Sequence, residues 1–384
     1  MEKIIVVGAG LSGATIARLF AESGRDVIVM DRRETIGGNA YDFVDENGII
    51  VQPYGTHIFH TADKEVFDFL SEFTEWNKYE HKVLARVRKD KYVPIPFNLS
   101  AVESLFPKEK AERIKKVLID EIGMDKKESI LKLKKHPSKE IRDFADYVYK
   151  NIYYIYTVKR WGFRPEQLGQ AVMNRAPVYV SYDNRYYTDE YQYMPKKGFT
   201  YMVENMLRHP RIKLKLKMDA SKEIRLADGK IYFGGKPFDG TLIYTGCVDE
   251  LFDYKYGVLP YRGIKLKFLT KKTQSFQPAA VVNYTTSASH TRISEFTKYT
   301  CEPKENTAIM KEYPVSFKKG KNIPYHPIPI AKNYEYYDKY VEEAKAYKNL
   351  HLLGRLANYK YIDMDVAVKN AIKLFNELEQ VDCE

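Results

Sequence analysis

The stretch from Lys3 to Ala40 constrains this chain more than any other. It reads KIIVVGAGLSGATIARLFAESGRDVIVMDRRETIGGNA. Lys3-Ile4-Ile5-Val6-Val7 is a short, β-branched apolar run of the kind that forms a strand buried on both faces of a parallel sheet. Gly8-Ala9-Gly10-Leu11-Ser12-Gly13 follows at once, and Ala14, Ile16, Ala17, Leu19 and Phe20 carry a helical spacing out of it. A second apolar run, Val27 to Met30, ends in Asp31. This is a βαβ unit with a dinucleotide fingerprint. Gly8 allows the tight turn, Gly10 lets the backbone approach a pyrophosphate, and Gly13 lets the helix sit close to the strand. The helix N-terminus offers free N–H groups and a partial positive charge. Asp31 is placed to accept hydrogen bonds from an adenosine ribose. The unit alone leaves NAD and FAD open.

The continuation narrows the choice. Gly37-Gly38-Asn39-Ala40 lies just past Asp31 and brings a second glycine pair to the same pyrophosphate. That acid-x5-Gly-Gly spacing resembles the FAD-binding flavoproteins related to amine oxidases. The resemblance implies FAD rather than NAD.

With 384 residues the chain is long enough for more than one domain and a large core. No apolar run approaches membrane-spanning length, and a strand beginning at Lys3 leaves no room for a signal peptide. Cys247, Cys301 and Cys383 are odd in number and lack CxxC spacing, which fits a reducing cytoplasm rather than a disulfide framework or zinc site. The net charge of +11 admits a nucleic acid, but equally an anionic small ligand or a basic surface. Much of it falls in Lys108–Lys139 and Lys213–Lys217, which read as solvated faces. There are 32 tyrosines against 2 tryptophans, and a ring with a hydroxyl suits sugar and phosphate ligands.

Gly48 to Thr61 reads as a strand, a turn at Pro53-Tyr54-Gly55, and a loop with His57 and His60. Two histidines three apart with no cysteine nearby in sequence are not expected to hold a metal. Lys82 to Pro94 alternates as a hairpin, and Ser100 to Gln170 carries helical periodicity. Thr241 to Gly246 reads as a further cofactor-facing strand, and Asp363 as the start of a final helix. The expected fold is α/β: an FAD-binding Rossmann-like domain with an inserted helical domain and an antiparallel β-sheet domain. The first is expected from 1–76, 199–252 and 331–384; the second from 98–172, with the uridine site and a mobile loop; the third from 77–97, 173–198 and 253–330.

The run Tyr156-Thr157-x-Lys159-x-Trp161-Gly162 joins an ordered set of further motifs: Tyr54-Gly55-x-His57-Ile58-Phe59-His60-Thr61, Arg175-x-Pro-Val, Tyr191-Gln192, Thr291-Arg292-Ile293, Glu312-Tyr313-Pro314, and Gly354-Arg355 through Tyr361-x-Asp363-Met364. Together they resemble the bacterial UDP-galactopyranose mutase family over nearly the whole chain. The resemblance implies non-redox ring contraction of UDP-galactopyranose to UDP-galactofuranose, for galactofuranose-containing cell-surface polysaccharides. It implies reduced FAD as the active form, with a covalent adduct between flavin N5 and the anomeric carbon. Arg175 and Arg292 then match the diphosphate arginines, with Tyr186, Tyr191, Tyr313 and Tyr361 adding hydroxyls and Tyr156-Thr157 holding uracil. Trp161 matches the tryptophan of a mobile lid. His57 and His60 match the catalytic loop beside the flavin ring. Gly8, Gly10, Ser12, Gly13, Asp31, Arg32, Gly37, Gly38, Asn39, His57, Gly246, Arg355, Tyr361, Asp363 and Met364 match flavin contacts. A homodimer without a membrane span or nucleic-acid partner is implied as well.

Three positions depart from the family pattern. Ile155 stands where glycine is usual, Phe199 where tyrosine is usual, and Ile152 where phenylalanine is frequent. His81 reads as structural. Competing readings are a flavin oxidoreductase of the amine-oxidase type, a mutase acting on UDP-N-acetylgalactosamine, and a basic nucleic-acid-binding protein. The first explains Lys3–Ala40 but not the arginines and tyrosines; no recognised module supports the last.

Overall fold

In the computed structural model, which describes residues 3–168, 176–300, 302 and 304–381, the Lys3–Val7 run is the middle strand of a five-stranded parallel sheet. Its neighbours are Asp26–Met30 on one side and Thr241–Tyr244 on the other, with Ile212–Lys215 and Leu350–Leu352 at the edges. Alternation sets which residues face which layer. Ile4 and Val6 enter the core cluster that holds Ile16 and Phe20, while Ile5 and Val7 enter a second cluster with Leu242, Tyr244 and Tyr340. The first layer is helix Leu11–Glu22, itself covered by the last helix, Met364–Val381; the ring of Phe20 meets that of Phe375 edge-on at 5.2 Å. The second layer includes helix Ala331–Ala344, which carries Tyr340. The sheet is thus assembled from segments hundreds of residues apart.

The helical insert begins with Leu99–Leu105 and Lys108–Ile122. Ile114, Leu118, Ile141, Phe144, Ala145 and Val148 are buried on its apolar stripe. Helix Lys139–Val148 continues through a π-helical stretch, Tyr149–Tyr154, into helix Ile155–Trp161. A π turn inserts an extra residue and rotates the helical face that follows it. After it, Tyr156 with Arg160, and Thr157 with Trp161, stand at i,i+4 spacing on one side. Trp161 was expected in a mobile loop; it is instead the buried last residue of this helix, which stops at Gly162 with φ 76°.

The third body is a seven-stranded sheet in the order His326–Pro327, Tyr261–Lys271, Thr307–Ser316, Arg292–Glu295, Val281–Tyr284, Val83–Arg88, Lys91–Ile95. It was expected to be antiparallel, and one pairing departs from that: Val281–Tyr284 runs parallel to Val83–Arg88. The two come from distant segments, so no hairpin forces them to oppose. Segment 173–198 was expected in this sheet, but its described strands pair elsewhere. Val178–Tyr179 joins Phe97–Asn98 and Lys127–Glu128, and Tyr191–Pro195 lies between Phe59–Thr61 and Trp76–Lys78. Among the described residues no helix is long and apolar enough to cross a membrane. Cys247 is a buried free thiol; Cys301 and Cys383 lie outside the described residues.

Candidate functional site

A cavity of about 1020 Å³ opens at the N-terminus of helix Leu11–Glu22. No side chain caps that helix. The cap is Gly10, and the loop carrying Gly37 and Gly38 lies directly over it. The Gly37 N–H donates to the Ala9 carbonyl at 2.8 Å, and a Cβ on Gly38 would stand 2.9 Å from the Gly10 Cα. Asp31 ties the turn together: one carboxylate oxygen accepts from the Ala9 N–H and the other from the Arg33 N–H, each at 2.9 Å. Arg33 lies over the Tyr54 ring and donates to Asn39 Oδ1 at 3.0 Å, while its buried Nη1 has no partner. An uncapped helix start, two glycine loops in backbone contact and an orphaned guanidinium nitrogen are what a dinucleotide pyrophosphate requires. The residues present fit such a group.

Fourteen of the fifteen residues expected at the cofactor line this cavity: Gly8, Gly10, Ser12, Gly13, Asp31, Arg32, Gly37, Gly38, Asn39, His57, Gly246, Arg355, Asp363 and Met364. Arg32 is held by Glu250 through paired contacts at 2.8 and 2.5 Å. Tyr361 is the exception. It belongs to a second, smaller cavity that shares with the first a wall of His57, Arg355, Asp363 and Met364.

The smaller cavity is lined by His60, Tyr156, Thr157, Trp161, Tyr186, Arg292 and Tyr361, all expected from sequence, and also by Arg160, His81, Asn283, Tyr325 and His326. Glu312 is fully buried behind it. Its carboxylate stands 2.6 Å from Arg292 Nε and 3.7 Å from Arg160 Nη1. Neither contact is aligned as a hydrogen bond, so one buried carboxylate sits as an ion-pair partner between two guanidinium groups. Arg160 Nη2 also reaches the Tyr361 hydroxyl at 3.4 Å. The local field is positive. Burial, then Arg160, Arg355, Arg292 and Arg262, hold His326 well below the usual imidazole range. A neutral histidine among arginines marks a place that favours an anion.

Of the two loop histidines, His57 is held neutral by its surroundings. Burial, with Arg355 next, pulls His57 down to about 4. Its Nδ1 stands 2.9 Å from the Gly55 carbonyl, which only accepts, so Nδ1 carries the proton and Nε2 is left as an acceptor. His60 Nδ1 meets Asp189 Oδ2 at 2.7 Å, and its ring stacks on Tyr187. His81, read as structural, is on the cavity wall and accepts or donates at Nδ1 with the Tyr79 hydroxyl at 3.1 Å.

His81 gives a measurable pH dependence. Burial, then Arg292, lowers it to about 3. As pH falls below the unfolded value of about 6.5, the unfolded chain takes up the proton first. The stability associated with neutral His81 is therefore complete above about pH 6.5 and is lost as pH falls toward the folded value, at up to about 1.4 kcal/mol per pH unit. His81→Phe is expected to melt with a shallower decline than the parent between those limits. Parallel melting curves against pH would exclude this account. Taking the difference between the two proteins cancels Asp249, whose carboxyl burial raises to about 6 and which acts in the opposite direction.

Two expected residues do not reach the cavity wall. Tyr191 and Gln192 are adjacent in a strand and so face opposite ways. Gln192 turns inward onto the carbonyls of Tyr187 and Asp189, and Tyr191 stacks on Phe67 at 4.4 Å. Glu312 and Tyr313 alternate in the same manner: Glu312 faces the arginines, and Tyr313 faces His290. Arg175 lies outside the described residues. Sequence reading missed Arg160, Glu312, Tyr325, His326 and Asp189. Arg160 had a usable signal, its i+4 spacing from Tyr156. Glu312 sat inside a quoted motif; the others follow only from the tertiary arrangement.

Comparison with known proteins places this architecture. The family model described as UDP-galactopyranose mutase matches residues 151–361, and one described as NAD(P)-binding Rossmann-like domain matches 6–73. A probable UDP-galactopyranose mutase of Klebsiella pneumoniae is 33% identical over 380 residues, covering 98% of this chain and 94% of its own. A dTDP-fucopyranose mutase of Escherichia coli is 31% identical over 376 residues, 97% of each chain. A crystal structure of reduced UDP-galactopyranose mutase superposes with a TM-score of 0.73 over 99% of this chain and 96% of that one, at 16% identity, a likeness of fold. With its cavities arranged as described and its whole length matched, the chain belongs to the UDP-galactopyranose mutase family of isomerases.

Proposed function

We propose that this chain interconverts UDP-galactopyranose and UDP-galactofuranose, with FAD in the larger cavity in its reduced form, and so supplies galactofuranose for cell-surface polysaccharide. The observation that carries the proposal is the shared wall. His57, Arg355, Asp363 and Met364 belong to both cavities, so a flavin held in the first would adjoin the arginine-lined second. When bound, reduced flavin would supply a nucleophilic nitrogen, N5, for the anomeric carbon.

The chain's own residues answer the remaining demands. A diphosphate that departs and returns must be retained, and Arg292 and Arg160 offer forked donors around one carboxylate for that purpose. Arg175 joins them on the resemblance alone. Tyr156 presents a ring for uracil from the same helix as Arg160, and Tyr361 adds a hydroxyl beside it. His57 accepts through Nε2 at the flavin wall. Trp161, buried against His326 and Tyr361, helps to exclude water. The working form is proposed to be a cytoplasmic homodimer.

Dithionite-reduced protein is expected to interconvert the two sugar nucleotides, and oxidised protein is not. Chromatography of the nucleotide sugars tests this, and equal activity in both states would overturn the role given to reduced flavin. A second reading is a dTDP-fucopyranose mutase, because the E. coli relative of that name matches this chain over the same length and at similar identity. Its substrate differs by a base methyl, a missing ribose 2′-hydroxyl and a missing sugar 6-hydroxyl. Running the assay with UDP-galactose, its N-acetyl analogue and dTDP-fucose in parallel separates the three, the preferred substrate showing the highest kcat/KM.

A further inference from the structure

Lys159 lies on helix Ile155–Trp161, between the cavity-lining residues Thr157 and Arg160. Its side chain reaches across to the connection between strands Val281–Tyr284 and Arg292–Glu295. There Nζ meets four backbone carbonyl oxygens: Tyr284 at 2.6 Å, Thr286 and Ala288 at 3.0 Å, and His290 at 3.2 Å. They belong to every second residue, so the loop winds around the ammonium. Among the described residues no carboxylate pairs with Lys159. Burial lowers its proton affinity, and the carbonyl dipoles oppose that by favouring the charged form.

An ammonium has three N–H groups, so four acceptors are more than hydrogen bonding alone uses. The arrangement is an ion–dipole cage of the kind that holds a monovalent cation. Without the cation, four carbonyl oxygens converging on one point repel each other, and each loses its partner. The caged loop leads directly into Arg292, two residues beyond His290, and the strand before it carries Asn283 to the cavity. The helix that supplies the cation carries Tyr156 and Arg160.

We propose that Lys159 is a positioning residue: its ammonium templates the 284–290 loop and so fixes Arg292 relative to Tyr156 and Arg160 across the nucleotide site. The consequence for substrate rests on the nucleotide-sugar reading above; the templating of the loop does not.

The test uses the flavin-loaded full-length protein. Lys159→Met keeps length and removes charge. It is expected to weaken UDP binding by about tenfold or more, equivalent to about 1.4 kcal/mol, with KM raised more than kcat is lowered and flavin retained. Amide exchange at 284–290 is expected to accelerate. Lys159→Ala leaves the space of propylammonium, which is expected to restore both exchange protection and UDP affinity, whereas tetramethylammonium, lacking N–H groups, restores neither. Lys159→Arg, which keeps a cation, is expected to fall between the parent and Lys159→Met. Unchanged exchange in Lys159→Met, or rescue by tetramethylammonium equal to that by propylammonium, would overturn the proposal. If the parent itself fails to bind UDP, the nucleotide reading falls, and the exchange and rescue measurements still decide the role of Lys159. If Lys159→Met does not fold, Lys159→Ala refolded with and without propylammonium decides it: equal yields count against the cage, and a yield that depends on propylammonium supports it.

Discussion

Arg292→Ala is expected to lower turnover of the reduced enzyme by about a hundredfold or more, the loss typical of a charge-assisted contact made to a developing anion. The visible flavin spectrum is expected to stay, because Arg292 lines the second cavity and not the first. The same substitution also costs stability. Glu312 is fully buried, and with Arg292 gone its remaining partner is Arg160 at 3.7 Å. Stranding one member of a buried ion pair costs about 3–5 kcal/mol. The two effects separate in a double variant. Arg292→Met with Glu312→Gln removes both charges, so the melting temperature recovers most of its loss while activity does not return. Near-parental turnover in Arg292→Ala would remove Arg292 from the diphosphate. Recovery of activity in the double variant would mean that the single variant failed by unfolding.

Gly38→Val is expected to give protein with little or no flavin absorbance. The effect is geometric. Gly38 has φ 58°, and any Cβ there meets the Gly10 backbone at 2.9 Å, inside ordinary contact distance. Backbone cannot rotate aside as a side chain can, so the two glycine loops must separate at the point where they present N–H groups to a pyrophosphate. Circular dichroism is expected to show retained secondary structure, since Gly38 opens a one-turn helix, Gly38–Ala40, and is not part of the sheet core. Gly24→Val is the matched control: it also has a positive φ, but open space surrounds the missing Cβ. Full flavin occupancy in purified Gly38→Val would refute the cradle.

How much of this was legible in sequence depended on how local the information was. Lys3–Ala40 is a strand, a turn, a helix and a strand in immediate succession, and its glycines and Asp31 fell where their spacing put them. The lining of the larger cavity followed almost completely. The lining of the smaller cavity followed less well, because side-chain direction in a strand turns on register, and a one-residue difference reverses it. Tyr191 and Tyr313 were chosen, whereas their neighbours Gln192 and Glu312 are the residues that face inward. Arg160 occupied an unassigned position between Lys159 and Trp161, yet it shares a buried carboxylate with Arg292, from a strand more than a hundred residues away. No local pattern announces such a pair. The parallel pairing of Val281–Tyr284 with Val83–Arg88 was hidden for the same reason.

The placement of Lys3–Val7 at the centre of its sheet has a consequence for biosynthesis. The strand emerges from the ribosome well before its partner Thr241–Tyr244 and the covering helix Met364–Val381. Until then Ile16 and Phe20, fully buried in the finished protein, have no lid. The nascent chain must carry an unfinished domain until that helix is made, with the helical insert free to condense earlier from local contacts. Cofactor capture then becomes a closing event of folding. A ribosome stalled before residue 364 would hold a chain with every glycine of the cradle and no stable cradle.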